Sequence, residues 1–137
     1  MPQPPQSSFL TASLLVAAGG ALGSWLRFGV GRAWVQAIGP ARASAFPWAT
    51  LSVNVLGSLA MGLVAGWLAR SGGSEATRLL LAVGVLGGFT TFSAFSLEVV
   101  SLIERGDLGL AFMYLALSLG AGLLGLWLGL LLMRAAA

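Results

Sequence analysis

The sequence predicts an all-α membrane protein of four transmembrane helices, with the third broken mid-membrane. Three observations carry that reading. Of 137 residues, 58% are hydrophobic and only 8% charged, against roughly a quarter charged in a soluble domain. Four apolar runs are each long enough to cross a hydrocarbon core of about 30 Å at ~1.5 Å per residue. The third run contains Gly84-Val85-Leu86-Gly87-Gly88-Phe89-Thr90-Thr91-Phe92-Ser93-Ala94-Phe95-Ser96, which a plain span should avoid. Its two adjacent glycines cost helix stability of roughly 1 kcal/mol each relative to alanine. In lipid, a backbone break persists only where protein or a water-filled path satisfies the freed groups. The stretch therefore reads as a helix interrupted for a purpose, with carbonyls freed at the glycines and hydroxyls and phenyl edges just beyond them.

The elements follow in order. Met1–Ser8 is a loose, proline-bearing tail without the basic n-region of a secretory signal. The first span covers about residues 9–35, and Gly19 and Gly23 give it a small-xxx-small spacing for close helix packing. Gln36 to Phe46 reads as a loop with Gly39-Pro40 as a turn and Arg42 exposed. The second span runs over 47–69, with Pro47 in the first turn and Trp48 at the interface. Thr50, Asn54 and Ser58 recur at i, i+4, i+8, a polar stripe along one face. Gly62 and Gly66 form a second close-packing pair. After a short loop over 70–78, in which Ser74 or Thr77 serves as a cap, the third span runs over 79–103. Glu104-Arg105-Gly106-Asp107 is a tight turn. The fourth span covers 108–133, with Tyr114 and Ser118 one turn apart and Gly120, Gly122, Gly125 and Gly129 as a glycine-lined face. The spans use residues 1–137 as one domain, with both termini on one side and no evident internal repeat.

Composition removes several function classes. There is no cysteine and no histidine, so thiolate and imidazole chemistry is absent. The acids are Glu75, Glu98, Glu104 and Asp107, and all seven basic residues are arginine, spread without a basic run. Nucleic-acid binding is not expected. Nor is catalysis, because no paired acids, nucleophile–base set or metal cluster occurs. Arg70, Arg78 and Arg134 fall on the termini's side, with Arg42, Arg105 and, if the first helix ends early, Arg32 on the other. The positive-inside bias is thus nearly absent. Such a chain suits insertion in both orientations and an antiparallel, dual-topology homodimer.

The pattern resembles the Fluc (CrcB) family of small fluoride channels. The matching pieces are Gly19-Gly20-Ala21-Leu22-Gly23-Ser24-Trp25-Leu26-Arg27-Phe28, Thr50-Leu51-Ser52-Val53-Asn54-Val55-Leu56-Gly57, the Gly84–Ser96 stretch, and Tyr114 with Ser118. Phe28 stands where the family often has tyrosine, Ala94 where it often has threonine, and Gly122 where some members carry another hydroxyl. The resemblance implies passive, fluoride-selective export across the cell (inner) membrane, with two pores per antiparallel dimer. It places Phe92 and Phe95 along the pores, with Asn54, Tyr114 and Ser118 nearby. It also implies a central structural sodium ion held by the backbone carbonyls of Gly87 and Thr90.

The residue chemistry agrees with those expectations. Asn54 offers an uncharged amide donor, and Thr50, Thr91, Ser93, Ser96 and Ser118 offer hydroxyls. The phenyl rings present the positive edge of their quadrupole. Arg27 reads as structural or vestibular rather than a pore ligand. Glu98 is an intramembrane acid and a functional candidate on that ground. Two other classes compete. A proton-coupled exporter of the small four-span multidrug type needs an acid in the first span, and none is present. A non-transporting scaffold subunit explains the glycine faces but not the hydroxyl and phenyl cluster.

Overall fold

The computed structural model describes residues 7–135, so most of the expected amino-terminal tail lies outside the described residues. The fold is all-α: α1 (Phe9–Ile38), α2 (Pro40–Ala45), α3 (Trp48–Ser71), α4 (Glu75–Arg78), a π-helical stretch (Leu79–Leu86), α5 (Gly87–Phe89), α6 (Phe92–Glu104) and α7 (Leu108–Ala135). Four helical runs are long and apolar enough to cross a membrane: Phe9–Ile38, Trp48–Ser71, Glu75–Glu104 and Leu108–Ala135. The chain is a multi-pass membrane protein.

Two of the expected boundaries shift. Residues read as a loop over 36–46 are mostly helical, because α1 continues to Ile38 and α2 follows directly. Gly39 makes the corner at φ 81°, and Pro40 occupies the first position of α2, where its fixed φ suits a helix start. Ala41, Ala43 and Ala45 then supply the strongest helix formers. The third run also begins early, at Glu75, where Ser74 Oγ accepts the Thr77 backbone N–H.

The ends of the bundle are tied by hydrogen bonds. At one end the Ser7 backbone N–H donates to Glu75 Oε2 at 2.9 Å, and Arg70 donates to the Met133 carbonyl at 2.6 Å. Both chain ends therefore meet the α3–α4 turn. At the other end Arg105 donates to the carbonyls of Ser44 and Ala45 at 3.2 Å each, joining the α6–α7 turn to α2.

Within the bundle, α1 lies along the π-helical stretch and α5, and α3 lies along α7. Glycines set both contacts. A Cβ on Gly19 would stand 2.5 Å from the Leu80 carbonyl oxygen, and one on Gly88 2.5 Å from that of Gly20. On the other pair, a Cβ on Gly129 would stand 2.5 Å from the Leu59 carbonyl oxygen, and one on Gly62 would collide with that of Leu126. These are backbone-to-backbone contacts, which apolar helices in lipid use in place of a hydrophobic driving force. Gly122, Gly125 and Gly129 do face α3, but Gly120 has nothing within 4 Å and lies off that face. Replacing Gly88 or Gly129 by alanine should lower the thermal midpoint in detergent by several degrees, the consequence of about 1–3 kcal/mol of overpacking. Gly109→Ala, where a new methyl meets nothing within 4 Å, should leave the midpoint unchanged or higher. Equal midpoints for all three variants would contradict the contacts described.

Candidate functional site

The third helical run is interrupted at two residues. Thr90 (φ −80°, ψ 161°) ends α5 and Thr91 (φ −154°, ψ 124°) precedes α6, both extended. The interruption is therefore displaced from the glycines. Gly87 is helical at φ −63°, ψ −38°, and Gly88 lies within α5. Gly88 is needed against Gly20 of α1 instead, and the extended pair follows after Phe89. That pair separates Phe89, at the end of α5, from Phe92 and Phe95 in α6.

Asn54 holds the interruption. Its Nδ2 donates to the Thr91 carbonyl at 3.0 Å, and its Oδ1 accepts the Thr91 N–H at 2.9 Å. One side chain thus satisfies both backbone groups of the residue that leaves the helical ladder. Thr91 Oγ1 accepts the Ala94 N–H at 3.2 Å and caps α6. The carbonyls of Gly87 and Thr90 consequently lose the amides four residues ahead, those of Thr91 and Ala94, to side-chain acceptors. Gly87 is also exposed on the surface of the single chain.

A second polar cluster lies one turn along α3. Thr50 is buried and donates to Glu98 Oε1 at 2.7 Å. Tyr114, with 0% exposure, donates to Glu98 Oε2 at 2.6 Å. Glu98 is therefore engaged on both oxygens. Ser118 Oγ is buried with no hydrogen-bond partner among the described residues. An aromatic row borders the cluster. Phe95 packs on Tyr114 at 5.2 Å and on Phe92 at 5.8 Å, and Phe46 meets the other side of Tyr114 at 5.6 Å. Phe95 is buried, whereas Phe92 is 78% exposed on the single chain. Phe46 was placed in a loop by its neighbours in sequence, yet it is 5% exposed and belongs to the core. Its aromatic run Phe46-Pro47-Trp48 is the signal that could have found it.

Two cavities lie near the polar stripe of α3. Ser58 and Asn54, with Thr90, Thr91 and Phe92, line one of about 260 Å³. Glu98, with Ser44, Ser101 and Arg105, lines another of about 180 Å³ near the α2 end. Thr50 lines neither, but donates to Glu98, which lines the second. From Ser58 to Thr50 the stripe covers ~12 Å at 1.5 Å per residue.

Proton accounting sorts the donors. Tyr114 and Thr50 give their hydroxyl protons to Glu98. Ser96 gives its own to the Phe92 carbonyl at 2.9 Å, and Thr90 to that of Leu86 at 2.9 Å. One Asn54 N–H and the Ser118 hydroxyl remain available. Thr91 Oγ1 and Ser93 Oγ lie 3.4 Å apart, so this pair keeps at least one free proton. Arg27 is half-buried on α1 and makes no hydrogen bond or ion pair among the described residues, and no group of three His, Cys, Asp or Glu is placed to hold a metal among them.

This arrangement sets uncharged donors and phenyl edges along α3 and α6, with the Glu98 carboxylate holding the protons of Thr50 and Tyr114 at the α2 end. A family model described as CrcB-like protein, Camphor Resistance (CrcB), matches residues 14–130. The chain is 57% identical over 128 residues to the fluoride-specific ion channel FluC of Novosphingobium aromaticivorans, covering 93% of this chain and 100% of that one. It is 49% identical over 127 residues to the fluoride-specific ion channel FluC of Erythrobacter litoralis (91% and 93% covered) and 51% identical over 125 residues to that of Beijerinckia indica (89% and 95% covered). These relatives are ion channels and not enzymes by name. With a family model matched over most of its length and relatives near half identical end to end, the chain belongs to the CrcB-like family.

Proposed function

We propose that this chain is a fluoride-selective channel of the cell (inner) membrane, passing fluoride passively down its gradient. The observation that carries the reading is the α3 stripe. Its Asn54 and Ser58 line an open cavity with Thr91, its Thr50 reaches the Glu98 carboxylate beside a second one, and the stripe itself carries no charged side chain. Fluoride is small and strongly hydrated, so a conducting path must replace its water with donors. A cation held against it would trap it, because conduction needs binding weak enough to release. The remaining N–H of Asn54 and the hydroxyls of Thr91, Ser93 and Ser118 meet that requirement. Phe92 and Phe95 add ring edges, which attract anions through the aromatic quadrupole. At the inner cluster an arriving anion competes with Glu98 for the protons of Tyr114 and Thr50. Export benefits the cell because weak-acid HF enters from acidic surroundings and dissociates inside.

The working unit in this reading is an antiparallel, dual-topology homodimer with two pores. Support comes from the weak bias of arginines between the ends of the bundle, Arg70, Arg78 and Arg134 against Arg42 and Arg105, and from exposed Phe92 and Gly87, which a second copy would cover. The interruption at Thr90-Thr91 then lies at mid-membrane depth. A structural sodium ion at the two-fold axis suits the carbonyls of Gly87 and Thr90, because sodium prefers oxygen ligands and both carbonyls lack their helical amides. When bound, the ion supplies a fixed positive charge that raises the potential felt by a nearby anion.

Efflux from liposomes carrying purified protein tests the central reading. Fluoride should leave rapidly and chloride at the rate of empty liposomes. Comparable chloride flux would defeat the selectivity, and fluoride flux strictly tied to a proton gradient would favour a coupled exporter. Phe92→Ile and Phe95→Ile should each cut fluoride flux at least tenfold, a loss of about 1.4 kcal/mol in barrier terms, while the oligomer stays intact. Undiminished flux in both would remove the phenyl rings from the path. Exchanging sodium for choline throughout purification should lower the thermal midpoint of the dimer, and an unchanged midpoint would argue against the ion.

A further inference from the structure

The α2 end of the bundle holds a feature that conduction does not use. Trp34, Ile38, Phe46, Trp48 and Leu110 wall a cavity of about 480 Å³ with Arg42 at its edge, within the range of about 300–1,000 Å³ that accepts a small ligand. The walls are carbon. Trp34 stacks on Trp48 at 5.6 Å, and Phe46 packs on Trp48 at 4.6 Å. The one polar atom of Trp34, its indole N–H, donates to Ser52 Oγ at 3.0 Å.

Arg42 is exposed and makes no hydrogen bond or ion pair among the described residues. Arg32 is likewise exposed and unpaired among them, and borders the adjoining cavity on Trp34 with Phe28 and Val35. The chain's own acids do not neutralise this pair. Glu75 accepts from Ser7, Glu98 from Thr50 and Tyr114, and Asp107 pairs with Arg105 at 3.4 Å. Glu104 pairs with neither arginine. Two unneutralised guanidinium groups therefore flank carbon-walled grooves, beside tryptophans of the kind that sit at headgroup depth.

We propose that this is a binding site for an anionic phospholipid, with its phosphate on Arg42 and Arg32 and an acyl chain in the cavity of Trp34, Phe46 and Trp48. Carbon walls with an unmatched cation at the rim suit an amphiphile carrying negative charge at one end. The guanidinium fork matches phosphate oxygens in bidentate fashion, and anionic headgroups are the lipids that juxtamembrane arginines concentrate. A second copy of the chain is the competing cover, but it has few free carboxylates to bring. The proposal rests on the membrane placement of the chain and not on which ion it conducts.

Native mass spectrometry of the full chain released from nanodiscs of mixed phosphatidylglycerol and phosphatidylcholine tests it. Phosphatidylglycerol should be retained in preference to phosphatidylcholine. Arg42→Gln should lower its retention about fivefold, the size expected for one arginine against an anionic headgroup. Ile38→Trp, which fills the cavity and leaves Arg42 in place, should lower it as well. Arg78→Gln, exposed at the opposite end, should not. Equal retention of the two lipids, or equal loss with Arg78→Gln, would overturn the site. Displacement of the lipid by soluble glycerol phosphate would overturn the role of the acyl chain. Efficient cross-linking between copies carrying Ile38→Cys would put a second copy over the cavity and overturn the proposal.

Discussion

The reciprocal pair between Asn54 and the backbone of Thr91 is the constraint on which the rest of this structure depends. A residue that leaves a helix inside an apolar bundle exposes one donor and one acceptor, and lipid answers neither. An amide side chain supplies both complements at once without a charge. With Asn54 in place, α6 can start afresh at Phe92 on an axis of its own. Phe95 and Glu98 then reach Tyr114, and the donor line along α3 has something to face. Without that amide, two buried backbone groups go unpaired at about 1–3 kcal/mol apiece, and a continuous helix becomes the better solution.

The same pair explains what the sequence conveyed and what it withheld. Periodicity and length made the four runs legible, since apolar stretches of this size have few other uses. The i, i+4, i+8 spacing of Thr50, Asn54 and Ser58 placed them on one face, and the structure keeps them there. The adjacent glycines marked the third run as unusual, but composition could not say which residues would leave the helix. That outcome was decided by tertiary partners. α1 needs Gly88 flat against Gly20, which keeps Gly88 helical, and Asn54 stands opposite Thr91. Neither fact is local. The wide π turns of Leu79–Leu86 left no mark in residue type. α2 was missed for a different reason. Its alanines were readable, but Gly39-Pro40 outweighed them as a turn signal, although proline after a glycine corner is also how a helix begins.

Glu98 shows how burial rearranges an inventory of donors. In the sequence it was an acid near a helix end, and the hydroxyls of Thr50 and Tyr114 were open donors. Packing brings the three together, and the carboxylate takes both protons. The chemistry of the cluster therefore cannot be summed from its residues one by one. It depends on which protons are already committed, and on how readily the carboxylate gives them up. The phenyl and tyrosyl rings fix that geometry by filling the space around it, leaving the Ser118 hydroxyl as a buried group without a protein partner.

The backbone-to-backbone seam between α1 and the third run has an evolutionary consequence. Where two main chains touch, every residue type larger than glycine is excluded by the same steric wall, so drift at Gly19, Gly23, Gly84 and Gly88 is blocked whatever the chain transports. Hydroxyls and rings elsewhere can be exchanged one for another at smaller penalty. The scaffold should thus change more slowly through descent than the lining it supports, the reverse of the order found in proteins whose cores are built from interchangeable side chains.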